Sequence, residues 1–577
     1  MANESHNKSS SSSSSSGRGG APSALTMLLI EWRWLFVVPI VLPLSFLYDK
    51  LWQIRQIFYE LFQAAPKLHD RRVKAIQDQV VNWNKAGRPG GRLATARSEW
   101  LSISIRPEDY KTNCNKIKID LYDVLAIDTK NRTVRVEPGV SMGQLTKALA
   151  KHGWTIPVVP ELDDLTVGGL VNGYGIEGSS HKYGLFCDTC TAYEVVVASG
   201  ELIRATPTNE HKDLFHGLPW SYGALGFLVA VEINIIPIQH WVHLVYRPVF
   251  GQGVDGVTKA FEQAMTGGAD VPDARSPSSV PEFVEGLMYD KETAVIMTGN
   301  FVDAPPGPFA RVNRIGLWYK PWFYKHVQTI LHKAIAAKRR GNAAPSMLER
   351  VCSVFCNTSQ IDATSVYDEY IPIRDYYHRH TRSIFWQGEL IVPMGNNPIF
   401  RVLCGWMMPP KISFLKLTQP KSIREYHDEM MVVQDLLVPV SVLGDALTYF
   451  DKTFRCYPIW LCGHRTYKTE PQGALKPAAS LPKGQNYEMY VDVGMYFIPG
   501  VKNYEAEKSL REMESWLIDN RGYQALYAQT HMTRAQFRQM FDCTLYDKLR
   551  AKHNAEGVFM DAYDKVCLKK HASPNSR

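Results

Sequence analysis

The segment Pro160–Gly184, PELDDLTVGGLVNGYGIEGSSHKYG, carries six glycines. Glycine at that density lets backbone N–H groups approach an anion or a flat ring with no Cβ in the way. Gly173–Gly178 spells G-x-G-x-x-G, but a dinucleotide fingerprint must open a helix on whose N-terminus a pyrophosphate rests. Here Ser179-Ser180-His181-Lys182-Tyr183-Gly184 follows, which is loop chemistry. The segment therefore reads as an irregular backbone cradle rather than a Rossmann turn.

A second cluster, Tyr376-Tyr377-His378-Arg379-His380, offers proton donors that titrate near neutrality and a guanidinium able to hold a tyrosine or a phosphate. On a strand His378 and His380 would share a face. No carboxylate or cysteine stands at ligand spacing, so no metal is expected. A core histidine with a satisfied hydrogen bond is the competing reading. Tyr496, in the alternating segment VDVGMY, is a further candidate acid beside the plainer reading of a sheet tyrosine. Cys187-x-x-Cys190 is one pair without a second, and reads as two unrelated thiols.

The elements that must position these groups are short strands with few helices. Trp100–Ile105, Lys116–Asp120, Thr133–Glu137, Thr155–Val159 and Phe227–Ile236 read as strands. Tyr193–Ala198 and Glu201–Arg204 flank Ser199-Gly200, a hairpin signal. Ser141-Met142-Gly143-Gln144 is a capping box that opens a helix stopped by Gly153. Trp241–Phe250 and Ala294–Gly299 read as further strands, Phe323–Ala337 as a helix and residues 337–365 as a polar loop.

At 577 residues, 45% hydrophobic and 21% charged, wholesale disorder, collagen and coiled coil are excluded. A net charge of +8 is too dilute over this length to argue for nucleic acid. Ten scattered cysteines suit a reducing compartment. Residues 1–24, with eight consecutive serines, read as a disordered tail. Leu25–Tyr48 is apolar apart from Glu31 and Arg33, long enough for a single membrane span or a monotopic anchor. The cation excess lies downstream, at Lys50, Arg55, Lys67, Arg71, Arg72 and Lys74, which places the body on the cytosolic side.

The segments VEPGVSMGQL (136–145), Pro160–Gly184, AYEVVVASGELIRAT (192–206) and DLFHGLPWSYGALGFLVAVEINIIP (213–237) resemble the FAD-binding, PCMH-type domain of the vanillyl-alcohol oxidase superfamily. YIPIRDYYHRHTRSIFW (370–386), PMGNNPIFRVLCGWMMPPKISFLKLTQ (393–419) and YPIWLC (457–462) resemble the second domain of one branch, the Δ24-sterol reductases. The resemblance implies an α+β fold in two domains, FAD-binding over 61–240 and substrate-binding (cap) over 241–500, with an N-terminal membrane helix at 25–48 and a C-terminal helical segment and tail at 501–577. It implies FAD contacts at Thr166, Val167, Gly168, Gly169, Leu170, Val171, Asn172, Gly173, Tyr174, Gly175, Ile176, Glu177 and Gly178, continuing through Ser179, Ser180 and His181. NADPH as reductant, a sterol substrate, membrane lipid as partner and the endoplasmic-reticulum membrane follow from the same resemblance; oligomeric state stays open. Most of the superfamily has an earlier glycine-rich loop, often with a flavin-linked histidine. Here RPEDYKTNCN (106–115) has neither glycine nor histidine, so FAD is expected to be non-covalent.

The expected reaction is NADPH-driven reduction of an isolated side-chain alkene. Such a bond is electron-rich, so it must be protonated as hydride arrives, from an acid held in a dry cavity; His380, Tyr377 and Tyr496 are the candidates. Two rivals keep part of this reading: a flavin oxidase or dehydrogenase of an alcohol or sugar lactone, and a non-catalytic, membrane-tethered flavin- or sterol-binding protein.

Overall fold

Alternating apolar residues build two antiparallel sheets in this computed structural model, which describes residues 30–567 apart from 63, 103–108, 268–279, 341–366, 420 and 479. The smaller sheet has the order Val124–Asp128, Thr133–Val136, Phe227–Asn234, Cys190–Val196, Leu202–Ala205. The larger has eight strands: Tyr367–Pro372, Trp241–Phe250, Thr293–Val302, Phe283–Asp290, Ile459–Tyr467, Tyr487–Phe497, Val432–Pro439 and Tyr523–Gln524. Helices Gly253–Thr266, Phe323–Arg340, Leu443–Thr453 and Ala506–Asp519 pack on the larger sheet. The serine-rich tail and most of the loop expected at 337–365 lie outside the described residues.

Local signals set several of these elements. The Ser141 hydroxyl accepts the Gln144 N–H at 3.2 Å and caps the Met142–Ala150 helix. The Gln144 amide turns away to donate to the Tyr122 carbonyl at 3.0 Å, so only half of the box forms. Gly200 sits at φ +89°, where a Cβ would lie 2.6 Å from Val81 Cγ2. That close approach lets Val73, Ile76 and Val80 of the Ala64–Lys85 helix bury against Val196 and Phe227.

Other segments differ from the sequence reading. The chain at 100–105 begins as a 3-10 turn, Glu99–Leu101, and then leaves the described residues. The strand expected at 155–159 is only Trp154–Thr155, because Pro157 and Pro160 have no N–H to extend a ladder. The strand expected at 116–120 shortens to Asn115–Ile117, paired in parallel with Leu93–Thr95. Residues 376–380 are not a strand. Ile373–Tyr377 is a helical turn and the chain then bends, so the shared strand face of His378 and His380 does not exist.

The C-terminal part is not a helical unit standing apart. Tyr523–Gln524 joins the edge of the larger sheet, whereas residues beyond Thr544 return to the smaller one. There Arg550 donates to the Ala224 carbonyl at 2.8 Å, Phe559 packs edge-on to Phe227 at 5.2 Å and Leu93 bridges to Phe559. The N-terminal apolar helix runs past the expected end at Tyr48 to Leu61, with a π-helical stretch at Val37–Val41 that contains Pro39. It fits a membrane anchor by length and composition.

Candidate functional site

Between the two sheets lies a cleft of about 520 Å³. One wall is the Thr166–Ile176 turn. Thr166 is extended, Val167–Asn172 is one short helix, and Gly173 ends it. The glycines are needed for contact within the protein as well as for a ligand. A Cβ on Gly168 would lie 2.7 Å from Pro138 Cβ, and one on Gly175 would lie 2.8 Å from Leu170 and 2.9 Å from Phe186. The turn is thereby pressed flat against its own scaffold. Thr166, Gly168, Gly169, Leu170, Asn172, Gly173, Tyr174, Gly175 and Ile176 line the cleft.

Val167 and Val171 face the core and do not line it. Glu177, Gly178, Ser179, Ser180 and His181, expected to continue the cofactor loop, also lie outside its lining. They tie the turn to the larger sheet. Val284 N–H donates to the Gly178 carbonyl at 2.7 Å, Ser179 donates to the Pro157 carbonyl at 2.8 Å and Arg465 donates to the His181 carbonyl at 2.9 Å. Burial pushes His181 down to about 4, so it is neutral.

Three cations that the sequence reading missed line the cleft as well: Arg97, Lys111 and Lys565. Lys111 Nζ donates to the Arg97 carbonyl at 3.0 Å, and Lys565 Nζ donates to the carbonyls of Tyr222 and Gly223 at 3.0 and 3.1 Å. Lys565 also lies 5.6 Å from the Tyr110 ring centroid. Nothing in local spacing joins positions 97, 111 and 565; only the return of the C-terminal segment brings them together. The turn's own N–H groups are largely spent within the protein, Gly168 on the Pro138 carbonyl at 2.8 Å and Gly173 on that of Gly169 at 2.9 Å, so it is the clustered cations that suit a pyrophosphate. Cys187 and Cys190 are not at the cleft, and burial raises both thiols, Cys190 to about 12.

The cleft is also walled by the larger sheet and by Ile384, Phe385, Ile391, Ile412 and Leu415. Val433 and Asp435 project from one strand, paired with Tyr496 and Gly494 of the next, and Gly494 pairs in turn with Trp460. A Cβ on Gly494 would collide with the Tyr496 phenol. The missing side chain leaves the room through which Tyr496 reaches across to donate its hydroxyl to Asp435. Burial lifts Asp435 to about 6 against the hydrogen bonds of Tyr496 and Tyr527, and burial beside Asp435 lifts Tyr496 well above its usual range. Burial also raises Glu161, on the cleft wall, and Asp492, behind it, well above the carboxylate range; Glu177 adds to the first and Asp435 to the second.

Of the three candidate acids, only Tyr496 lines the cleft. Tyr377 is buried beside Phe283, and His380 is stacked on Phe385 at 4.7 Å and edge-on to Phe323 at 5.3 Å. His380 belongs to a buried charge cluster. Arg379 donates to Glu177 at 2.7 Å and to both Glu285 oxygens at 2.7 and 2.8 Å, and Trp460 Nε1 donates to Glu285 at 3.0 Å. Burial opposes every charge there. Arg379 and His380 nevertheless hold Glu285 well below its usual range, whereas Glu177 is pushed up. Arg379 is the reason the 376–380 segment turns inward: its guanidinium, fully buried, has to reach both carboxylates. Trp460 carries that cluster to the cleft wall.

With this geometry in place, the relatives of the chain can be compared with it. A family model described as an FAD binding domain matches residues 86–206, which hold the glycine turn and two of the three cations. The human Delta(24)-sterol reductase is 44% identical over 544 residues, 94% of this chain and 95% of that protein. The chain belongs to the Δ24-sterol reductase family. The relation extends to the Caenorhabditis elegans Delta(24)-sterol reductase homolog, 41% identical over 94% of this chain and 95% of that one, and to the Arabidopsis thaliana Delta(24)-sterol reductase, 38% identical over 93% and 91%. The matched length takes in both sheets and so both sets of residues that wall the cleft.

Proposed function

We propose that the chain reduces the Δ24 side-chain double bond of sterol intermediates, with FAD held non-covalently and NADPH as the reductant. One observation supports this beyond kinship: a single cleft is lined both by cations with flat glycine backbone and by a buried Asp435–Tyr496 pair among apolar side chains. The fit to FAD is good, and among the described residues lining the cleft there is no histidine or cysteine to bond a flavin covalently.

FAD, when bound and reduced, supplies hydride to one alkene carbon, which no side chain can do. The chain does the rest. Arg97, Lys111 and Lys565 would hold the pyrophosphate, with the flat glycine turn leaving room beside it. Ile384, Phe385, Ile391 and Leu415 enclose the sterol side chain and keep water from a carbon that gains positive charge. Asp435 carries a proton below about pH 6; the carboxyl then donates to the Tyr496 oxygen, reversing the hydrogen bond of the ionised pair, and as the Tyr496 hydroxyl gives its proton to the alkene the Asp435 proton replaces it. Trp460, fixed by Glu285, holds the wall beside them; Arg379 and His380 act only through Glu285.

The division of labour follows residues 61–240 for the cofactor and 241–500 for the sterol, with Lys565 added to the first part by the C-terminal segment. The body sits on the cytosolic face of the endoplasmic-reticulum membrane. The test is anaerobic incubation of purified protein with NADPH and a Δ24 sterol such as desmosterol, following flavin absorbance and product mass together. Bleaching by NADPH, reoxidation by sterol and a product heavier by two hydrogens are expected. Oxygen uptake without nicotinamide, or flavin that NADPH never bleaches, would overturn the reading.

A further inference from the structure

We propose that the Trp34–Leu61 helix does not cross the bilayer: it lies in one leaflet and forms, with the Pro398–Met407 segment, a single lipid-docking face beside the cleft.

Two faces of the helix argue this. On one, Ile40, Leu44, Leu47, Leu51, Ile54 and Phe58 recur every three or four residues, all between 44% and 67% exposed. That is an unbroken apolar stripe along the helix. On the other face the helix is fastened to the body along its length. Val37, Val41 and Leu42 belong to the main core. Ser45 accepts the Lys411 backbone N–H at 2.9 Å, Asp49 pairs with Lys411 at 2.8 Å and Arg55 with Asp123 at 3.1 Å. Trp52 packs edge-on to Tyr122 at 5.7 Å. These contacts run through the middle of the stretch that a span would have to carry into lipid. Upstream of Val37 only about a dozen residues remain back to Leu25, or ~18 Å of helix, against a hydrocarbon core of ~30 Å.

The second element presents its own row. Ile399, Val402, Leu403 and Trp406 are 71%, 60%, 65% and 46% exposed, and Trp406 meets Phe46 edge-on at 4.9 Å, so the two rows adjoin. Lipid is the occupant that fits. Trp406 on this face and Trp32 just before the helix are exposed, as interfacial anchors are, and the exposed cations Lys50 within the helix and Lys67 and Arg71 beyond its end are complementary to an anionic leaflet. The face also adjoins the cleft. In the Ile412–Leu417 helix, Ile412 and Leu415 line the cleft, Phe414 packs on Tyr48 at 5.5 Å and Leu417 is exposed. One helix thus separates lipid from the cleft, and a lipid-dissolved substrate enters past it without crossing water. This entry route rests on the sterol reading; the docking does not.

Topology and binding test it together. The native sequons Asn3-Glu4-Ser5 and Asn7-Lys8-Ser9 serve as reporters in the full chain expressed with an N-terminal epitope. In sealed microsomes the epitope is expected to be digested by added protease, and both asparagines are expected to stay unglycosylated. A protected epitope, or an endoglycosidase-sensitive band, would establish a span and sink the proposal. Separately, the purified holoenzyme is expected to bind phosphatidylcholine–phosphatidylserine vesicles. Ile399→Asp with Leu403→Asp is expected to weaken binding about tenfold per side chain, with flavin content and activity on detergent-dispersed sterol unchanged. Vesicle binding that ignores both substitutions, or a stable dimer that covers the face and does not bind vesicles, would also overturn it. A chain that docks as described but leaves sterols unreduced would refute the function and spare the docking.

Discussion

Removing the Tyr496 hydroxyl separates proton delivery from the architecture that surrounds it. Tyr496→Phe keeps the ring in its place over Gly494 and deletes only the donor to Asp435. Asp435 then loses one of the two hydrogen bonds that hold its pKa down to about 6. A hydrogen bond to an ionised group is worth about 1.5–3 kcal/mol, or about 1–2 pK units, so the carboxyl is expected to move to roughly pH 7–8. Activity that needs the proton-loaded pair falls as pH rises through that value. The alkaline limb of kcat should therefore shift upward by about 1–2 units in the variant, while kcat at pH 6 falls by a factor of about 10² to 10⁴ for loss of the group that hands the proton on. Steady-state rates from pH 5 to 9 with a Δ24 sterol and NADPH, corrected for flavin content, read both effects. Gly494→Ala, whose Cβ would displace the phenol, is expected to move the profile in the same direction. A Tyr496→Phe enzyme with kcat within about threefold of the parent and an unmoved limb would refute the assignment of the acid.

Lys565→Met is expected to weaken FAD binding about 10- to 100-fold, since a charge-assisted contact is lost; flavin absorbance per protein after gel filtration measures it, and full retention would exclude Lys565 from the site. Arg379→Met leaves Glu177 and Glu285 facing each other in the interior and is expected to cost about 3–5 kcal/mol. Urea unfolding should show a large loss, and adding Glu177→Gln and Glu285→Gln should recover part of it. Glu514, not part of the cleft lining, is pushed up to about 7 by burial. Its folded form holds a proton that the unfolded chain releases near 4.5, so stability falls as pH rises from 4.5 to 7, by about 3 kcal/mol. Glu514→Gln keeps the acceptor for Thr530 and His531 and should match the parent in thermal unfolding at pH 4.5 and exceed it at pH 8.

Much of the first sheet was legible because its determinants are local. Thr133–Val136 alternates, Ser141 caps a helix three residues before Gln144, and Ser199-Gly200 turns a hairpin. The glycine turn was legible as a cradle up to Ile176. Its continuation to His181 was not, because the same small and polar residues that suit a ligand also suit a tight junction with the larger sheet, and only the Val284 and Arg465 contacts decide between them. The motif Tyr376–His380 drew attention by its titratable residues. Its position is set by a buried guanidinium reaching two carboxylates nearly a hundred and two hundred residues away, which no period reveals. Asp435 looks like any strand residue until Gly494 and Tyr496 stand in register beside it. The apolar N-terminal run was legible as membrane-seeking, but the side it presents to the body depends on Lys411, Trp406 and Asp123, all distant in sequence.

The path of the segment after Thr544 back to Leu93 and Ala224 has a consequence for truncation. Lys565 and Phe559 form part of the cleft's lining, although every strand of the smaller sheet lies more than three hundred residues before them. That sheet can therefore form while its ligand pocket stays open on one side. A nascent chain stalled before Thr544 is expected to fold that sheet and still fail to retain flavin, so a frameshift or early stop there removes the cofactor without touching any residue of the glycine turn.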